Sequence, residues 1–213
     1  MKCICTQKVG VRLNKSELAQ QIIIDNGGAA RNADFLNAGL SNYDLMVLHN
    51  KGIIERIIRG LYQLPHSAHL KEEQLIKELL PYGIVCMESA LYHYGYSSFC
   101  PHEWSLAVPR TATNQVKKIV GFSLKPYFTR KEIFDIGKTT DEFNGTALSL
   151  YDRERTICDC FRYRTKLDNE LFNKAVTTYA ADDKKNLGNL STYAEEMKIY
   201  GKVMNVMEVL LNI

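Results

Sequence analysis

The sequence predicts an α+β chain: an N-terminal winged helix-turn-helix, then a mixed α/β domain that ends in helices. Three observations carry this. Residues 14–65 hold three short helix-like segments, each stopped by glycine, ahead of two β-rich runs around an Arg-Gly turn. Residues 70–150 interleave short apolar runs with amphipathic stretches. From Asp152 the pattern is helical almost to Ile213.

The elements follow in order. Residues 1–13 show no period and stay unassigned. Ser16 is read as a helix cap with Glu17 in the first turn, and Leu18, Ile22 and Ile23 recur at helical spacing before Gly27-Gly28 ends the segment. Asn32 is read as the cap of a short helix over Ala33–Ala38, stopped by Gly39. Ser41 caps a third helix reaching about Asn50, stopped by Gly52. The runs Ile53–Ile58 and Leu61–Leu64 flank Arg59-Gly60 and read as a hairpin, closed by Pro65 and His66.

Beyond a soft boundary near residues 66–70, the expected domains are 1–66 and 67–213. Residues 70–80 read as an amphipathic helix stopped by Pro81, and Gly83–Cys86 as a strand. Glu88–Tyr94 reads as a helix closed by Gly95, and Ser105–Val108 as a strand closed by Pro109. Val116–Val120 is expected as a short helix, with strands at Leu124–Phe128 and Leu148–Leu150.

Composition limits the function classes. The hydrophobic fraction of 46% and charged fraction of 24% suit a globular protein with a core of its own. No apolar run approaches the roughly 18–20 residues a membrane helix needs, and the first residues lack a signal-peptide core, so a cytoplasmic protein is expected. The six cysteines include two C-x-C pairs and make no zinc signature with the five histidines, so buried or inert thiols are expected and no metal or cofactor. The first 66 residues hold eight Lys/Arg against five Asp/Glu, so the net charge of +3 sits wholly there. Such an excess permits nucleic acid as a partner without demanding it.

Function candidates come from the third segment and the hairpin. Gly39 falls in the turn between helices two and three, as in a helix-turn-helix. With Leu45 and Leu48 facing inward, Asn42, Tyr43, Met46 and His49, together with the capping Ser41, face a major groove. Arg56 and Arg59 on the hairpin are placed to reach phosphates or the minor groove. The same head also fits a protein-docking adaptor or a plain structural subdomain, and the pattern leaves these open.

Further on, Lys117, Lys118, Arg130 and Lys131 offer a second phosphate patch or a solvated face. Arg155, Asp159 and Arg162 share one helical face, as a brace or a partner contact. Glu88 and His93 do not share a face cleanly, Ser89 lacks a nucleophile elbow, and no phosphate loop occurs, so no catalytic residue is expected.

The run Gly27-Gly28-Ala29-Ala30-Arg31-Asn32-Ala33-Asp34-Phe35-Leu36-Asn37-Ala38-Gly39-Leu40-Ser41 and the wing Gly52-Ile53-Ile54-Glu55-Arg56-Ile57-Ile58-Arg59-Gly60-Leu61-Tyr62 resemble the AbiEi family of antitoxins, of type IV toxin–antitoxin systems. Cys86–Gly95, Val108-Pro109-Arg110 and Arg155–Arg162 are similar to further family blocks. The resemblance implies a transcriptional autorepressor that binds inverted repeats in duplex DNA upstream of its own abortive-infection operon, in phage defence. It also implies an antitoxin that counteracts a nucleotidyltransferase-type toxin, with direct contact left open. The alternative is a docking adaptor without DNA binding.

Overall fold

The computed structural model describes residues 14–66, 70–117, 119 and 122–211. The chain forms two compact units, one through Leu70 and one from Lys71.

The first unit holds α1 (Lys15–Asp25), β1 (Ala29–Arg31), α2 (Asn32–Asn37), α3 (Asn42–Asn50), β2 (Glu55–Ile58) and β3 (Leu61–Gln63). Helix α1 starts two residues earlier than its expected cap implies: Asn14, not Ser16, is the N-cap, and Glu17 closes the box on the Asn14 backbone. Asn14 precedes Glu17 by three, the spacing a reciprocal box requires. Helix α2 likewise begins at Asn32, with the Asp34 carboxylate accepting from the Arg31 N–H at 2.7 Å. Helix α3 is capped by Ser41, as its sequence indicates. Strands β2 and β3 form the expected antiparallel hairpin, and β1 adds to β3 to make the sheet β1-β3-β2. Strand β1, only three residues long, carries no alternation that a sequence reading would detect. Ala19, Ile23, Phe35, Leu45, Leu48 and Ile54 close the core.

The second unit is built on a five-stranded sheet, β6-β5-β4-β8-β7. Its strands are β4 (Ile84–Val85), β5 (Trp104–Pro109), β6 (Leu124–Thr129), β7 (Lys138–Phe143) and β8 (Thr146–Tyr151). Pairs β5–β6 and β4–β8 are parallel; β4–β5 and β7–β8 are antiparallel. Alternation along β4, β5, β6 and β8 serves two cores. Val85, Leu106, Val108, Leu148 and Leu150 join one cluster with Ile76 of α4 (Glu72–Leu79), its C-cap Leu80, and Val116 of α6 (Thr113–Val116). Ile84, Ala107, Tyr127 and Tyr151 join the other. There they meet α5 (Met87–His93), α7 (Arg153–Arg162), α8 (Asn169–Ala181), α9 (Leu187–Glu196) and α10 (Tyr200–Leu211). The α+β class is as the sequence predicts.

Two details differ from expectation. The short helix expected over Val116–Val120 lies earlier, at α6, and Lys118 falls outside the described residues. Strand β7 went unread because five of its six residues are exposed and none alternates as apolar. It is an edge strand, where charge discourages further pairing.

Of the two readings of Arg155, a brace or a partner contact, its burial decides for the brace. It is 1% exposed, with Asp159 at 3.2 Å and its Nη1 donating to the carbonyls of Ile133 and Ile136. A side chain so enclosed is a core brace and not a partner contact. Its guanidinium stacks 4.0 Å from the Tyr151 ring centroid. Burial pushes the Asp159 carboxyl up, and Arg155 opposes that shift. Arg162 is half-buried, while Lys117, Arg130 and Lys131 are exposed. Cys86, Cys158 and Cys160 are buried free thiols, pushed up in pKa by burial, whereas Cys100 is exposed.

Candidate nucleic-acid interface

Helix α3 presents two faces. Leu45 and Leu48 are buried, and Asn42, Tyr43, Met46, His49 and Asn50 are exposed. Tyr43 and Met46, at 69% and 50% exposed, are large side chains that no core claims. The cap explains how the helix is held. Ser41 Oγ accepts from the Asp44 N–H at 3.2 Å, and Asp44 Oδ2 accepts from the Ser41 N–H and hydroxyl at 2.9 and 2.7 Å. The Ser41 hydroxyl is thus engaged within its own turn.

Asp44 stands where a free carboxylate would repel phosphate. The Lys15 ammonium lies 2.7 Å from its Oδ1 and ties α1 to α3. The hydrogen bond from Lys15, then those from the Ser41 backbone and side chain, hold the Asp44 carboxyl at about 2, below the usual 3.8.

Asn42 Oδ1 accepts from Asn32 Nδ2 at 2.7 Å, which orients the amide from α2. His49 Nδ1 lies 3.3 Å from the Ile54 carbonyl. A carbonyl only accepts, so Nδ1 carries the hydrogen and the neutral ring offers Nε2 as an acceptor.

In the wing, Arg56 Nε donates to the Ile58 carbonyl at 3.3 Å across a shift of register between Arg56 and Ile58. Arg59 is exposed at the turn, beside Gly60 at φ +84°. Only glycine takes that conformation without strain. The Gly60 carbonyl accepts from the Asn32 N–H at 2.9 Å, fixing the wing tip to the start of α2. Helix α3 and the wing therefore both engage Asn32, one through its side chain and one through its backbone. Lys51, exposed just past α3, is a cation that the site reading passed over; its place beside Gly52 was the available signal.

In the second unit Glu88 and His93 each have another partner. Burial pushes the Glu88 carboxyl up, but bonds from Lys125 at 2.6 Å and Ser105 at 2.9 Å outweigh it and leave the group below its usual range. His93 instead pairs with Asp141 at 2.9 Å. No group of three His, Cys, Asp or Glu able to hold a metal occurs among the described residues. No helix among them is long and apolar enough to cross a membrane.

Residues 17–65 match the family model of AbiEi antitoxin transcriptional regulators. The match runs from the first turn of α1 to Pro65. The AbiEi resemblance is thereby borne out over the residues of the head. That AbiEi family is one of regulators and not of enzymes. The similar blocks at 86–95, 108–110 and 155–162 lie outside the matched residues. The crystal structure of the RV2827C protein from Mycobacterium tuberculosis shares the fold at a TM-score of 0.65, with 10% identity over 94% of this chain and 82% of that one. No curated protein matches the chain by sequence.

Proposed function

We propose that the head binds duplex DNA with α3 in the major groove and the wing along the backbone. On this reading the chain is the autorepressor of its own abortive-infection operon. It is also the antitoxin that counteracts a nucleotidyltransferase-type toxin, acting in the cytoplasm. The observation that carries the proposal is the exposed polar and apolar face of α3, held by the Ser41–Asp44 cap, with the one acid in its first turn already neutralised by Lys15. Asn42, Tyr43, Met46 and His49 read base edges, and Arg56 and Arg59 hold phosphates. Ser41 acts through the cap. Lys117, Arg130, Lys131 and Arg162 are the candidates for a second DNA or toxin contact, and the second unit contributes by binding and not by catalysis.

Gel shifts on the upstream region at low and moderate salt test the reading. Neutralised phosphates make affinity fall steeply with salt. The exposed Tyr43 and Met46 would also suit a protein-docking head. Binding that is absent, or equal at both salts, favours that adaptor.

A further inference from the structure

Asn32 opens α2, but its side chain works on α3. Its Nδ2 donates to Asn42 Oδ1 at 2.7 Å, while its own Oδ1 is sealed from solvent and has no donor among the described residues. Its backbone N–H donates to the Gly60 carbonyl at 2.9 Å, so the side chain starts from a fixed point at the wing tip. A sealed, orphaned acceptor costs stability. Packing therefore does not account for an amide at this position; the bond to Asn42 is what the side chain supplies.

That bond sets what Asn42 offers a ligand. Asn42 is exposed in the first turn of α3, the end of a recognition helix that meets base edges. Its oxygen is engaged from α2, so the two N–H groups of the amide are its free hydrogen-bonding side. Guanine presents two acceptors, N7 and O6, on its major-groove edge, and two donors on one nitrogen meet both. Adenine's pairing with an asparagine needs the asparagine oxygen to accept from N6–H, and here Asn32 already uses that oxygen. Thymine offers one acceptor and a methyl, and cytosine sets a donor against donors. Of the four bases, guanine alone gives the held amide two acceptors.

We propose that Asn42 reads a guanine in place of the adenine an unheld asparagine prefers, and that Asn32, acting through Asn42, sets this choice, which rests on the head binding duplex DNA.

Duplexes retained by the full chain from a randomised pool are sequenced for the wild type, Asn42→Ala, Asn32→Ala and Asn32→Asp. The base pair whose selection disappears in Asn42→Ala is the Asn42 position. The wild type is expected to hold a G·C pair there, roughly tenfold over A·T. Placing 7-deazaguanine in that pair removes the N7 acceptor and should weaken the wild type about threefold while leaving Asn42→Ala unaffected. Asn32→Ala frees the Asn42 oxygen, and the G·C preference should shrink to within about twofold. The carboxylate of Asn32→Asp only accepts. It takes one Asn42 N–H, returns the oxygen and the other N–H to the groove, and should turn the preference to A·T. Selection at the other pairs should stay as in the wild type. Melting followed by circular dichroism identifies the folded variants, and Asn32→Ala carries the comparison if Asn32→Asp does not fold. The proposal is overturned, with duplex binding left standing, by any of four results: no pair that depends on Asn42, an A·T pair there in the wild type, no effect of 7-deazaguanine, or the wild-type preference retained in folded Asn32→Ala. A wild type that retains no duplex at low salt overturns duplex binding and the proposal with it.

Discussion

Asp44 shows how much one carboxylate can decide. It closes the α3 cap, accepts from Lys15 and thereby cancels its own repulsion of phosphate. Its pKa is lowered to about 2 on folding, so its stabilising contribution is complete above the unfolded value of 3.8 and is lost as pH falls through about 2. The head is therefore expected to weaken between about pH 4 and 2, and Asp44→Asn to flatten that part of a pH–stability profile measured by urea unfolding. Arg155 is the second decisive residue. Arg155→Ala leaves Asp159 buried without its partner and is expected to cost about 3–5 kcal/mol, whereas Arg155→Met with Asp159→Leu should cost much less. Equal losses in the two variants would remove the ion pair as the cause. Gly137 reports on the same spot: a Cβ there would lie 2.4 Å from Arg155 Cβ, at a φ of +68°. Gly137→Ala should destabilise the second unit without touching the head.

At the scale of elements, α3 and the wing divide the work of binding. Asn42→Ala is expected to cost about 1–3 kcal/mol on the specific site and little on random duplex. Asn42 is oriented by Asn32, so Asn32→Ala should reproduce part of that loss through the shared hydrogen bond. Arg59→Ala should weaken specific and random duplexes alike and flatten the salt slope by about one unit if it meets a phosphate. Binding to specific, random and A·T-flanked duplexes separates these cases. Loss of Arg59 felt most on the A·T-rich flanks would place it in a narrow minor groove. Asn42→Ala losing affinity equally on all three would take α3 out of the major groove.

Over the whole molecule, the net charge excess, the AbiEi match and the candidate base-reading side chains all lie in the first unit. A cavity lined by Glu72, Glu73, Glu103 and Glu142 lies in the second. Duplex binding by the full chain should therefore fall steeply with salt, while Glu103→Gln with Glu142→Gln leaves it unaltered.

The sequence alone determined α2, α3 and the wing of the head. Its caps, stopping glycines and hairpin turn act over three or four residues, so they are readable without any partner in space; α3 and the wing stand where Ser41, Gly52 and Arg59-Gly60 place them. Where a local signal had two candidates, as with Asn14 and Ser16, the reciprocal bond to Glu17 chose between them. Tertiary structure decided what depends on distant residues. Arg155 and Asp159 read as a brace or a partner contact, and the carbonyls of Ile133 and Ile136, some twenty positions away, decide between the two. Glu73 and Phe143 lie far apart in the chain and line one cavity only through the strand order β4-β8-β7, which is invisible to local spacing. Burial and charge balance are properties of the assembled neighbourhood, and those are what make one arginine a core brace and four glutamates a cavity wall.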